Sequence, residues 1–211
     1  MIVSHRHKLI FTHIPKNAGT SIRQWLETHV ADAEPQAAKH QTPHHLHTAL
    51  DGYDHFAVVR NPYDRLLSQY NFHLERYEAY LHRKSRLSQK QAYHDKYAEL
   101  KQGFENWLKD PYPIADRQAK WYDYRWCPQA VWCTPHTHVL KFEMLAQDFR
   151  WVQDRVGVDE PLETLNSTTA NNDHSTMKNR LLLAKHRPLI LSHLLVDFKR
   201  FGYAPNFDRS K

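Results

Sequence analysis

Residues 11–22 read "FTHIPKNAGTSI", and the abrupt change in the middle of this stretch decides how the chain is read. An apolar run gives way to Pro-Lys-Asn-Ala-Gly-Thr-Ser and then to "IRQWLETHV" (22–30), an amphipathic helical pattern. Strand, tight turn and helix start in that order make an anion site. The N–H groups of a helix's first turn have no intrahelical acceptor, and the aligned peptide dipoles favour negative charge there. Gly19 is expected to let the chain turn tightly, Thr20 and Ser21 add hydroxyl donors, and Lys16 places a cation at the strand end. The order of residues is not that of the G-x-x-x-x-G-K-[ST] nucleotide loop, because Lys16 precedes Gly19 by three positions instead of following a second glycine. The loop is read as a cradle for a phosphate-like group other than that of ATP.

Working outward, "KLIFTHI" (8–14) predicts a short buried strand and residues 20–30 the helix after it. A second β-branched run, "HFAVVR" (55–60), predicts another buried strand. It leads directly into "NPYDRLLSQYNFHLERYEAYL". There Asn61 is a good N-cap, Pro62 suits the first helical position and Asp64 the first turn. Leu66, Leu67, Tyr70, Leu74, Tyr77 and Leu81 recur at helical intervals. A third strand is predicted at 137–142, followed by a helix in "EMLAQDFRWVQDRVG", and a closing helix at 187–203 ends near Gly202. Residues 31–54 read as irregular with a helical turn near 45–50, residues 82–109 as partly helical with a break at Gly103, and residues 161–180 as irregular. Short strands alternating with helices predict an α/β fold, a P-loop-like central parallel β-sheet flanked by helices, in one domain over residues 1–211. In such sheets ligands gather beyond the C-terminal strand ends, which is where "HIPKNAGTS" and "VVRNPYDR" both fall.

Composition narrows the function. The formal charge of +6 and pI of about 9.2 favour an anionic partner. Lys and Arg are interspersed with Asp and Glu from 75 to 160 and form no single stripe, so nucleic acid is not expected. Two cysteines, Cys127 and Cys133, are too few for a disulfide scaffold and match no zinc spacing. The 17 histidines are scattered without a ligand pattern such as H-E-x-x-H, so no metal is expected. No apolar run approaches the ~20 residues of a membrane helix, and the start shows no signal-peptide pattern. The expectation is a soluble, cytoplasmic protein. Oligomeric state is not legible.

Arg60 stands where the second strand ends, and its guanidinium offers a planar fork of donors for phosphate oxygens. Ser68 lies eight residues on, about two turns into the helix. "HIPKNAGTS" together with "FAVVRNPYDRLLSQY" resembles the sulfotransferases that use 3′-phosphoadenosine 5′-phosphosulfate (PAPS), with the carbohydrate sulfotransferases and their bacterial relatives most alike. "HVLKFEMLAQDF" (138–149), "LETLNSTT" and "DFKRFGY" extend the likeness, with Lys141 standing where the family has arginine. The resemblance implies that Pro15, Lys16, Asn17, Ala18, Gly19, Thr20 and Ser21 bind the 5′-phosphosulfate and that Arg60 and Ser68 bind the 3′-phosphate. It also implies that Lys16 neutralises charge growing on the leaving oxygen, without a metal, and that the bisphosphate PAP is the product.

An attacking hydroxyl must lose its proton, and histidine suits that task near neutral pH. "KHQTPHHLH" (39–47) offers His40, His44, His45 and His47. Related enzymes carry K-H-x-T about twenty residues before the second strand's arginine. That match favours His40, with Lys39 and Thr42 around it, over His44, His45, His47, a carboxylate or no base; His13 reads as a packing residue. His44, His45, Gln118, Lys120 and Arg125 are named for the acceptor cleft, and a carbohydrate hydroxyl is the acceptor that the resemblance favours. The alternatives are an ATP- or GTP-dependent kinase and a non-catalytic nucleotide-binding protein of the same fold.

Overall fold

The computed structural model describes residues 1–36, 39–43, 50–82, 91–110, 115–116, 121–122, 124–163 and 177–206. Its centre is a five-stranded sheet built from β1 (Ile2–Ser4), β2 (Leu9–Thr12), β3 (Glu34–Pro35), β4 (Asp54–Val59) and β7 (His138–Lys141), in the order β3-β1-β2-β4-β7. The three strands expected from sequence, β2, β4 and β7, run parallel, with Thr12 opposite Ala57 and Val59 opposite Lys141. Beyond this parallel centre, the other edge adds strands not read from sequence. There β1 pairs antiparallel with both β2 and β3, making the sheet mixed. Three residues followed by His-Arg-His carry too little periodicity to read as a strand. A reversal through Lys8, whose φ is 48°, nevertheless folds Ile2 back onto Phe11.

β4 reads as a continuous apolar run because both its faces are covered. Phe56 and Val58 meet the cluster formed by α1 (Gly19–His29) and α6 (Arg150–Val156), where Ile22, Trp25, Leu26, Phe149 and Val152 pack. Ala57 and Val59 face the opposite way, onto Ile14, Trp132 and Phe201. The long helix α2 (Pro62–His82) packs against α3 (Gln91–Lys101), α4 (Phe104–Lys109) and α8 (Arg187–Phe201) through Tyr63, Leu66, Tyr77, Trp107, Leu194 and Phe198. The remaining elements are the two-stranded β5 (Ala115–Asp116) and β6 (Trp121–Tyr122), the short α5 (Leu145–Asp148), and α7 (Met177–Lys185). Asn61 caps α2 as expected, its Oδ1 accepting the Tyr63 N–H at 3.0 Å. Gly103 and Gly202 adopt positive φ at the helix boundaries read from sequence. The helical turn near 45–50 falls largely outside the described residues. Because β2 and β4 are adjacent and parallel, the loop after one and Arg60 after the other leave the sheet side by side.

Candidate active site

The loop between β2 and α1 is shaped by Lys16 and Ala18, which take the left-handed backbone at φ 72° and 58°. The expectation that Gly19 supplies the tight turn is therefore corrected: Gly19 is the first residue of α1 and is not among the positive-φ residues. Its missing side chain matters for another reason. A Cβ there would overlap Cδ2 and Nε2 of the His13 ring and lie 2.6 Å from its Cγ. Ala18 caps α1 without any side-chain hydrogen bond, which leaves the first-turn N–H groups to be satisfied from outside the helix. Thr20 is exposed beside them, whereas Ser21 is buried.

Lys16 lies half-buried with its Nζ 4.0 Å from the centre of the Phe72 ring. Burial, and then the charge of Arg60, lower its pKa to about 8, with Arg76 and Lys39 adding to the fall and Glu75 opposing it. Lys39 is itself lowered by burial and by the charges of Arg23 and Arg76. Cations that repel one another in this way leave a site ready for an anion. Arg60 stacks on Phe142 at 4.1 Å, and its Nη1 donates to the Lys16 carbonyl at 3.4 Å. Its Nε is buried and has no hydrogen-bond partner among the described residues. A buried guanidinium N–H without an acceptor is expensive unless a ligand completes it. Ser68 lies buried on α2, two turns in from Arg60.

Asn17 was expected to touch the ligand, but its side chain turns inward. It is 1% exposed, and Nδ2 donates to the Val58 carbonyl at 2.7 Å and to Gln129 Oε1 at 2.6 Å. Its Oδ1 is buried and has no hydrogen-bond partner among the described residues. Pro15 is held from below, its carbonyl accepting from Nε of the buried Arg65 at 3.1 Å. Arg65 also donates to the carbonyls of Cys127 and Tyr124, so the arginine in "NPYDR" braces the loop from inside the core.

His40 sits against this loop. Its ring meets that of His13 edge-on at 4.6 Å, and its Nδ1 lies 3.0 Å from the His13 carbonyl. A carbonyl oxygen only accepts, so Nδ1 carries the proton and Nε2 keeps the lone pair. Burial lowers the His40 pKa to about 4, against the bond to His13, which raises it. His40 is therefore neutral at physiological pH. Its own carbonyl accepts from Trp132 Nε1 at 3.0 Å.

The comparisons with known proteins bear on this constellation. The model of the sulfotransferase family matches residues 1–204. The chain belongs to the sulfotransferase family. Carbohydrate sulfotransferase 11 from Mus musculus is 24% identical over 243 aligned positions, covering 98% of this chain and 68% of the relative. The Rattus norvegicus protein of the same name matches to the same extent. No solved structure matches. The protein is thus a sulfotransferase enzyme, and its α/β architecture agrees with that assignment.

Several site expectations for this sulfotransferase need restating. Arg125, named for the acceptor cleft, faces none: it is 0% exposed, stacked 4.2 Å from the Trp107 ring and bonded to the Trp107 carbonyl. An arginine among aromatics, as in "WYDYRW", looks alike in a cleft and in a core, and here it serves the core. His44, His45, His47, Gln118 and Lys120 lie outside the described residues. Among the described residues no group of three or more His, Cys, Asp or Glu side chains is arranged to hold a metal ion, and no helix is long and apolar enough to cross a membrane.

Other participants were not singled out from sequence. Glu143 Oε1 accepts the Asn61 N–H at 2.7 Å and its Oε2 accepts from Tyr203 Oη at 2.9 Å. Beside it, Phe142 carries Arg60. The strings "KFEML" and "FGY" therefore form a wall around Arg60. Lys141 does not act as a fork there; its Nζ stands 5.0 Å over the Tyr203 ring. Gln129 had no motif to mark it.

Proposed function

We propose that this sulfotransferase moves the sulfuryl group of PAPS onto a hydroxyl of a carbohydrate acceptor, with His40 as general base. The observation that carries the reading is the union of two anion sites at the C-terminal ends of the neighbouring strands β2 and β4: the start of α1, which lacks a side-chain cap, with Lys16, and Arg60 with its unsatisfied Nε. One ligand bearing two separate phosphate groups suits that pair, and the donor set fits PAPS: main-chain N–H groups and hydroxyls at 18–21, an ammonium, a guanidinium, and the Ser68 hydroxyl. When bound, PAPS supplies the sulfuryl group, and PAP is its remainder.

The chain's own residues have distinct tasks in this reading. The first turn of α1 holds the 5′ end, and Lys16 presents a positive charge where negative charge develops on the oxygen that is left behind. Arg60 and Ser68 orient the 3′-phosphate. His40 Nε2, free as a proton acceptor because Nδ1 is committed to the His13 carbonyl, takes the acceptor hydroxyl's proton. A base with a pKa of about 4 is weak but always unprotonated at pH 7. Proton uptake is then favoured by the anionic ligand, which raises the pKa of a neighbouring imidazole. The carbohydrate acceptor is supported by the relatives, both named carbohydrate sulfotransferases.

The test is calorimetric titration of PAP and of AMP, which differ by the 3′-phosphate, into the wild type and Arg60→Ala. Charge-assisted bonds of ~1.5–3 kcal/mol each predict at least a ~10-fold preference for PAP, most of it lost in the variant. Equal affinities in the wild type would overturn the cofactor reading. An acceptor screen with PAPS then decides the carbohydrate: transfer to other hydroxyls only would overturn that part.

A further inference from the structure

Gln129 bonds both halves of the site at once. It opens a 3-10 turn, Gln129–Trp132, and is 0% exposed. Its Oε1 accepts from Asn17 Nδ2 at 2.6 Å and from the Arg60 main-chain N–H at 2.9 Å. Its Nε2 donates to the Arg60 carbonyl at 2.9 Å. The side-chain amide thus satisfies both main-chain groups of Arg60, as a neighbouring strand's peptide would, just where the β4–β7 ladder ends at Val59.

Asp197 on α8 holds this amide in place. Its Oδ2 accepts the Gln129 N–H at 2.8 Å and lies 3.4 Å from Nε2, and its Oδ1 accepts the Ala130 N–H at 2.9 Å. A carboxylate beside the NH2 end dictates which way the amide faces. Oε1 is thereby aimed at Asn17 and Arg60. Asn17 in turn has its second bond to the Val58 carbonyl, so loop, strand end and closing helix share one buried network.

We propose that Gln129, oriented by Asp197, is a positioning residue that sets the spacing between the Lys16 loop and Arg60, and so makes the site select a ligand with two phosphate groups. The inference rests on the cofactor reading above. A ligand that bridges two points gains from both only when their separation is already right, because any looseness must be removed on binding. A ligand with one phosphate group engages one point and is indifferent to the separation. Loosening the clamp should therefore weaken PAP much more than AMP.

The variants are Gln129→Met, which keeps length and removes the bonds, and the gentler Asp197→Asn, which keeps shape and frees the amide's orientation. Affinities for PAP and AMP are measured by calorimetry on each folded protein, with hydrogen exchange of the Arg60 amide followed in the wild type and both variants. The expected result is at least a ~5-fold fall in PAP-over-AMP preference in either variant, with AMP affinity within ~2-fold of wild type, and faster Arg60 exchange. Equal weakening of both ligands, or a preserved preference, would overturn the proposal while leaving the cofactor reading intact. So would an unprotected Arg60 amide in the wild type, a result that needs no variant to fold. A wild type without preference would overturn the cofactor reading and this proposal with it.

Discussion

Gly19→Ala is the substitution on which sequence intuition and structure disagree. Gly19 starts α1 with a backbone that alanine adopts readily, and alanine is favoured over glycine in a helix by up to ~1 kcal/mol. On propensity alone the variant should be more stable. The new Cβ, however, would run into the His13 ring, which is 5% exposed, stacked on Phe11 at 5.8 Å and edge-on to His40 at 4.6 Å. With neighbours on both sides the ring cannot simply swing clear. Overpacking of this kind costs about 1–3 kcal/mol, and the depth of the overlap puts this case at the upper end. After the helical gain is subtracted, a net loss of about 2 kcal/mol remains, or ~4–8 °C in Tm for a chain of this size. The displaced ring also presses on His40, so turnover should fall even when the protein is fully folded. The assay is thermal unfolding together with PAPS-dependent turnover, for Gly19→Ala, His13→Ala and the pair. Removing His13 removes the obstacle, so the double variant should be at least ~1 kcal/mol more stable than the sum of the two single effects. Strict additivity, or a Gly19→Ala protein as stable as wild type, would refute the reasoning.

Three further predictions concern the chemistry. His40→Ala should lower turnover by ~10²–10⁴-fold with PAP affinity nearly unchanged; a fall of less than about fivefold would remove His40 as the base. The ionisations should also be displaced in a defined direction. His40 should titrate near its lowered value of about 4 when its ring carbon shifts are followed by NMR, and titration near 6.5 would contradict the burial argument. Lys16, lowered to about 8, loses its charge as pH rises through that value, so kcat/KM for PAPS should decline above pH 8. Lys16→Arg, whose charge persists, should abolish that decline whatever its absolute rate.

Part of this site was written locally. The loop residues 15–21, the strand and helix flanking them, and Asn61–Pro62 at the start of α2 are contiguous signals that depend on near neighbours. They were legible without tertiary information. The position of Arg60 beside the loop was legible too, because two consecutive parallel strands bring their C-terminal ends together. What was illegible shares one property: the contacts join positions that no local pattern of strand, helix or turn pairs. Arg65, for which the string "NPYDR" suggests no role, binds the Pro15 carbonyl from within the core. Arg125 looked like a cleft residue and is buried against Trp107. Gly19 was read as a turn former, whereas its need comes from a histidine six positions earlier in the chain.

The amino-acid sequence by itself determined the α/β alternation, the two anion-binding segments and the resemblance that named the family, because strand and helix periodicity, caps and loop chemistry are encoded within a few residues of one another. The tertiary structure alone decided that the sheet is mixed and that burial, with the charge of Arg60, depresses the ionisation of Lys16. It also decided that the His13 carbonyl selects the tautomer of His40, and that Gln129 and Asp197 tie the loop to the strand end. Those outcomes depend on burial and on hydrogen bonds between residues far apart in the chain. Neither can be assigned to a residue until the fold has chosen its neighbours.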